Sequence, residues 1–326
     1  MPRLWVVLLA LVLAGCAARA PLPSTAAVEL TEVPFYPQQE YQCGPAALAT
    51  LLRWSGVETD PERLVPRVYL PARQGSLQPE IIAEARRHGR LSYVLPPRFD
   101  AMLAELQAGH PVLVLQNLGL SWWPVWHYAV VVGYDPVGDD VILRSGRRQR
   151  HIVSRTTFEH TWRRADRWAL ITLQPPRLPA TAEPDRLLEA AFALERGGAV
   201  DAARLSYRAA AARWPADARI ALALANIEYG RGALTDAAAT LAHAIAAGAE
   251  DGALYNNLAV IRMELGDWIG AAEAARRAVM LGGPLADEFA RTWDQVCTSV
   301  APHHDTMILC DAQRGNPRSV RQGHEP

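Results

Sequence analysis

A cysteine, a histidine and a glutamine carry the types and spacings that could do chemistry together. The stretch Gln38-Gln39-Glu40-Tyr41-Gln42-Cys43-Gly44-Pro45-Ala46-Ala47-Leu48-Ala49 reads as a loop running into a helix, with Cys43 at the junction. Residues 46–54 are good or tolerated helix formers, with Leu48, Leu51 and Leu52 on one face, and Gly56 stops the run. Gly44 and Pro45 fall in the first turn, where a missing N–H costs nothing and small residues let the backbone approach a ligand. A thiol at a helix N-terminus meets unpaired N–H groups and the positive end of the dipole. Such settings lower a cysteine pKa from about 8.5 to roughly 3.5–7.5. The plainer alternative is a small buried cysteine packed beneath a helix.

His127 opens an apolar strand, residues 128–134, which ends in the turn residues Asp135, Pro136, Gly138 and Asp139. Alone, a histidine at a strand mouth is a structural residue more often than a base. Beside the Cys43 block its task would be to hold the thiolate and later protonate a leaving amine. Gln38 lies five residues before Cys43. A donor there could stabilise an oxyanion, an effect worth about 2.7–4 kcal/mol; Gln39 and Gln42 are the fallback donors.

The blocks Gln-x4-Cys-Gly-Pro-Ala-Ala-Leu and His-Tyr-Ala-Val-Val-Val-Gly-Tyr-Asp resemble papain-like peptidases of the bacteriocin-processing, double-glycine leader peptidase class. The resemblance covers residues 33–173, under half of the chain. It implies a papain-like fold, with the nucleophile on a helix and the base on a sheet. It also implies a Cys43/His127 pair with an upstream glutamine donating to the oxyanion. Many papain-like enzymes place that glutamine one residue further upstream, where Pro37 stands here, so Gln38 takes the role. The family also has an acidic residue on the strand after the histidine. Here that strand reads Val141-Ile142-Leu143-Arg144-Ser145-Gly146, and the matching position is Ser145. Asp135 is roughly 26 Å from His127 at about 3.3 Å per residue, out of reach. Ser145, with Gln149 as the alternative, would orient the ring through a neutral hydrogen bond, which stabilises imidazolium less than a carboxylate does.

Around these residues the pattern predicts a helix running to His88 after Pro79, a strand at 91–95, a helix at 100–107 and a strand at 112–116. Thr161-Trp162 reads as loop and residues 167–171 as the closing strand. Helices first and strands later indicate an α+β domain, not a doubly wound sheet. Trp122, Trp123, Trp126 and Tyr128 suggest either wall packing or a groove gripping an apolar peptide. Arg144, Arg147, Arg148 and Arg150 read as a solvated hairpin face that could also touch anionic lipid or an acidic peptide.

The 326 residues suggest about two domains. Half are hydrophobic, the formal charge is -1 and lysine is absent, so no electrostatic footprint for nucleic acid appears. Residues 1–15 read as a targeting segment: Arg3, an apolar core at 4–13, and a cleavage site ending at Cys16. The apolar run is too short to span a bilayer. Leu13-Ala14-Gly15-Cys16 resembles a bacterial lipobox, which implies acylation of Cys16. Ala17 after it points to the outer membrane, facing the periplasm, with residues 16–30 as a tether. The alternative is an ordinary secretory signal.

Residues 175–182, rich in proline, read as a linker between a 31–174 domain and a repeat array at 183–284. Gly198, Gly232 and Gly266 recur at a period of 34, and so do Ala191/225/259, Ala203/237/271 and Ala210/244/278. This is the spacing of the tetratricopeptide repeat, a helix–turn–helix unit, in three copies. Such arrays imply a protein partner. Residues 285–326 read as a capping helix and a disordered tail. Cys297 and Cys310 are a candidate disulfide, which the periplasm permits. His303, His304, Asp305 and Cys310 are too irregular to read as a metal set.

The expectation is therefore an envelope-anchored cysteine peptidase, papain-like α+β followed by all-α repeats, acting on a peptide or protein substrate. It would need no cofactor or metal and no nucleic acid. A papain-like acyl or amide transferase and a non-catalytic peptide-binding scaffold are the alternatives.

Overall fold

The computed structural model describes residues 26–38 and 41–299. Cys16, Gln39, Cys310, the targeting segment and the C-terminal tail lie outside the described residues. Among the described residues, no helix is long and apolar enough to cross a membrane.

The N-terminal domain is built on one antiparallel sheet. Its strands are β1 (Val28–Glu29), β2 (Leu91–Val94), β3 (Val112–Asn117), β4 (Trp126–Asp135), β5 (Asp140–Ser145), β6 (Arg148–Ser154) and β7 (Ala169–Leu173). The order is β2-β7-β3-β4-β5-β6, with β1 added beside β4. Side chains alternate across it with the period of two that strands impose. Leu113, Leu115, Tyr128, Val130 and Val132 face one layer of helices. Val112, Val114, Ala129 and Val131 face the other side.

The first layer holds α1 (Cys43–Trp54), α2 (Pro61–Val68) and α3 (Gln78–Arg87). In α1 the apolar stripe Leu48, Leu51 and Leu52 is fully buried against the sheet, which seats the N-terminus of the helix beside β4. Helix α2 is unforeseen from the apolar pattern. Asp60 caps it by accepting the Arg63 N–H, and Pro61 sits in its first turn. On the second face lie α4 (Phe99–Gln107) and α5 (Arg155–Arg163). The expected loop at Thr161-Trp162 is the end of α5, capped by Ser154. Trp162 is completely buried there.

Among the described residues seven more helices follow: α6 (Pro184–Arg196), α7 (Val200–Arg213), α8 (Ala218–Gly230), α9 (Leu234–Ala246), α10 (Gly252–Glu264), α11 (Trp268–Leu281) and α12 (Ala286–Ser299). Six form three hairpins and α12 closes the array. Gly198, Gly232 and Gly266 have φ of +84, +74 and +78° at equivalent turns, a backbone region that glycine enters freely. Ala203, Ala237 and Ala271 are each 0% exposed, which lets paired helices approach closely.

The join between the parts is not a free linker. The carboxylate of Glu105, with no exposed surface, accepts the N–H groups of Ala180 and Thr181 and the Thr181 hydroxyl. His110 Nδ1 lies 2.7 Å from it. The Tyr93 hydroxyl donates to Thr181 O and accepts the Glu183 N–H. One core then runs from Leu91, Tyr93 and Leu173 into Leu187, Leu194 and Tyr207. The β2 edge, which would otherwise expose unpaired backbone, is thereby covered by α6 and α7. In return the sheet domain caps the first repeat, as α12 caps the last through Trp293 and Val296. Cys297 is disulfide-bonded; its expected partner, Cys310, lies outside the described residues.

Candidate active site

Cys43, His127 and Gln38 meet in one cleft of about 1100 Å³, walled by Tyr41, residues 73–78, Pro124–Tyr128, Gly146-Arg147 and Ala165-Asp166. Cys43 is the first residue of α1, as the sequence predicts. Its N-cap, Gln42, makes no side-chain bond to the helix, and no acid stands in the first turn. The N–H groups of Cys43 and Gly44 therefore remain available at the helix tip.

Gly44 is required by a close approach, though not of a ligand. A Cβ there would lie 2.3 Å from Ser76 Oγ and 2.5 Å from Ser76 Cβ. The loop leading into α3 thus presses on the α1 tip and forms one wall of the cleft. The Tyr128 hydroxyl donates to the Ser76 carbonyl at 3.3 Å and ties that wall to β4.

The electrostatics depart from the expected thiolate. Burial pushes the Cys43 thiol up; the N–H groups of Tyr128, Gly44 and Cys43 itself oppose this without reversing it. Burial also pulls His127 down to about 4, with His151 adding to the shift. Among the described residues no hydrogen bond joins the sulfur to the imidazole. The resting site thus holds a neutral thiol and a neutral ring. The backbone N–H groups around the tip of α1 do not outweigh the desolvation of a buried sulfur.

The ring is oriented by Ser145. His127 Nε2 lies 2.8 Å from Ser145 Oγ, which leaves Nδ1 for proton transfer. The alternative orienter, Gln149, is excluded by an unforeseen turn. The chain reverses at Gly146-Arg147 and returns as β6, pairing Ser145 with Arg148 and Leu143 with His151. Gln149 then offers its carbonyl to Arg144 Nη1 at 2.6 Å. Arg144 is likewise no solvated residue. It is 4% exposed, and its guanidinium also donates to Val33 O and Thr31 O.

Gln38 is held by both ends of its amide. Nε2 donates to Tyr128 O at 3.1 Å, and Oε1 accepts the Gly146 N–H at 3.0 Å. Its backbone N–H bonds Gly146 O at 2.9 Å. One Nε2 hydrogen is left over, on a side chain that cannot swing away. Gln42 does not line the cleft, and Gln39 lies outside the described residues.

Sequence reasoning missed Ser76, His151 and Asp166. Asp166 contributes a carboxylate to the cleft wall, yet no hydrogen bond takes it to His127. Tyr41, Gln74 and Asp166 have φ of 60, 47 and 53° and all three line the cleft. Non-glycine residues seldom adopt that conformation, and it clusters at functional sites; nothing in local sequence announces it.

The tryptophans divide. Tyr128 is buried and Trp126 stands on the cleft wall. Trp122 and Trp123 are 77% and 70% exposed and lie outside the cleft.

Residues 30–170 match the family model described as the Peptidase_C39 like family. Among solved structures, a C39-like peptidase of Bacillus anthracis aligns at 17% identity and a TM-score of 0.40, covering 47% of this chain and 100% of its own. The peptidase domain of Streptococcus ComA, a bifunctional ABC transporter, aligns at 19% and 0.36, covering 44% and 98%. The type III secretion translocator chaperone SycD of Yersinia enterocolitica aligns at 16% and 0.32, covering 35% and 83%. No curated protein matches the chain. Residues 30–170 are thus similar to the Peptidase_C39 like family, and the helical array behind them repeats with the 34-residue period of the tetratricopeptide unit.

Proposed function

We propose that the protein is an envelope-anchored cysteine peptidase that works from a neutral Cys43/His127 pair. The observation that carries this is the convergence of a helix-tip thiol, a serine-oriented imidazole and a doubly anchored amide in one cleft. On substrate binding, His127 Nδ1 takes the thiol proton as Sγ attacks the peptide carbonyl. The imidazolium then gives that proton to the leaving amine, and the thioester is hydrolysed by a water deprotonated at the same nitrogen. The Cys43 N–H and the free Gln38 Nε2 hydrogen stabilise the oxyanion. Ser145 fixes the ring but supplies no charge, so the imidazolium is formed only transiently. The chemistry asks for no metal or cofactor.

Acylation at Cys16 would hold the domain at the membrane, and the repeat array would recruit a protein substrate or partner. Truncating the array is a poor test of recruitment, because α6 and α7 share a core with β2. Substituting the exposed Phe192 leaves that core intact.

The test is cleavage of a proteome-derived peptide library, with new amino termini read by mass spectrometry. The expected result is a set of products absent with Cys43→Ala and with His127→Ala. Products that are transferred to an amine instead of hydrolysed would indicate the acyl-transfer reading. The raised thiol and the serine at position 145 favour a second reading, a peptide-binding scaffold. No Cys43-dependent product, together with peptide retention by the intact protein, would establish it.

A further inference from the structure

The segment between β3 and β4 is a rigid finger whose tip the cleft does not use. Asn117, 2% exposed, accepts the N–H groups of Gly119 and Val125, each at 2.9 Å, and donates to Leu120 O at 3.3 Å. Leu118 N–H bonds Val125 O at 2.8 Å, and Leu120 and Trp123 exchange backbone bonds at 3.1 and 3.2 Å. Arg164 Nη1 donates to Gly119 O at 2.6 Å. A Cβ on Gly119 would meet Trp123 O at 2.4 Å, so the crossing tolerates only glycine.

What this scaffold presents is apolar. Leu118, Leu120, Trp122 and Trp123 are 50% or more exposed, and the two indoles stack edge to face at 6.4 Å. A loop braced by a buried asparagine does not hold tryptophans in water by accident; such a patch marks an interaction surface. The surroundings indicate the partner. Arg164, bound to the finger at Gly119 O, is exposed, as is Arg163 before it at the end of α5, and Arg147 lines the cleft. Asp166 is the acid on the adjoining loop. Exposed tryptophans flanked by arginines suit the headgroup layer of an anionic bilayer, where indoles settle and arginines meet phosphate.

We propose that residues 118–123 dock on an anionic phospholipid surface and set the cleft mouth against it. The substrate class then follows: peptide bonds lying at the bilayer surface. This deepens the peptidase reading and rests on it for the substrate, although lipid binding is separable. The chain length agrees. Val28 pairs with Tyr134, eight residues from Trp126 on β4 and so about 26 Å from the finger. The eleven residues 17–27 could span at most about 36 Å, enough for an anchored Cys16 and the finger to share one membrane face.

The test uses the full chain carrying Cys16→Ser, which cannot be acylated. It is sedimented with vesicles of equal parts phosphatidylglycerol and phosphatidylcholine, and with phosphatidylcholine alone. The expected result is binding to the anionic vesicles that weakens with salt. Trp122→Ala/Trp123→Ala should weaken it at least about tenfold. Arg163→Gln should weaken it about fivefold, on anionic vesicles only. Both indoles are exposed, so the thermal midpoint should not move; Trp122→Ser alone serves if the double variant unfolds. Absence of vesicle binding, or binding that the tryptophan variants leave unchanged, overturns the proposal. Loss of peptide affinity in those variants without loss of vesicle binding would make the finger a peptide-docking element and also overturns it. Cys43-dependent cleavage in the Cys16→Ser chain tells a failed docking surface from a failed peptidase.

Discussion

The repeat array and the cleft are built on opposite plans. In the array the close helix contacts recur, at alanines such as Ala203, Ala237 and Ala271. In the cleft nothing recurs. Its side chains come from a loop before α1, from β4, from the β5–β6 turn and from the loop before α3. Polar atoms there are held one by one, as Gln38 is by Tyr128 and Gly146. A periodic part should absorb a change as a graded loss of stability. A convergent part should lose function first, with little change in stability.

The largest expected effect lies in the cleft. Cys43→Ala should reduce hydrolysis by more than about 10³-fold, as loss of a nucleophile does, while the thermal midpoint stays put. Tyr207→Ala should do the reverse. Tyr207 is 1% exposed and packs in the core shared with the sheet, so its truncation should cost about 3–5 kcal/mol in a denaturant titration. If unfolding stays a single transition in that variant, the two parts unfold as one unit. Gln38→Ala should lower kcat by about 10²–10³-fold with a smaller change in KM, the mark of a donor used in the transition state.

Gly44→Ala falls between the two plans. The added methyl meets both Cβ and Oγ of Ser76, so overpacking of about 1–3 kcal/mol is expected. Gly44→Ala/Ser76→Gly should recover the thermal midpoint, whereas Ser76→Ala should not. The smallest effect concerns the array's surface. Phe192→Glu should weaken turnover of a protein substrate a few-fold and spare a short peptide; equal loss on both would deny the array a recruiting role.

Legibility follows the same division. The array could be read from the sequence because its determinants are local and repeated: glycines at each turn and alanines at each helix contact. Helix α1 and strands β2, β3, β4 and β7 were readable from apolar periodicity. Helix α5 was not, because arginine and threonine fill its exposed faces and only Arg155, Phe158 and Trp162 are buried. Strand β6 was missed because five of its seven residues are polar or charged and its burial is slight. With β6 unseen, Gln149 remained a rival to Ser145. The linker composition suggested freedom, but Glu105, distant in sequence, ties residues 180–181 down. Cys43 and His127 were found as candidates by residue type and setting, and Gln38 and Ser145 by the resemblance that the two sequence blocks carry. The state of the sulfur was not, because a helix tip is a local signal and burial under β4 is a tertiary one.

The central claim is that a neutral His127 is the base for a neutral Cys43 thiol. The direct measurement is kcat/KM against pH for a peptide cleaved in a Cys43-dependent manner, in the wild type and in Ser145→Asp. Protonation of His127 removes the base, so activity should fall as pH drops through about 4 and hold level from weakly acidic to neutral pH. A carboxylate at position 145 favours the imidazolium, so it should move that acid limb upward. A rate that instead climbs only with the thiol's own ionisation in the alkaline range, unmoved by Ser145→Asp, would contradict the account.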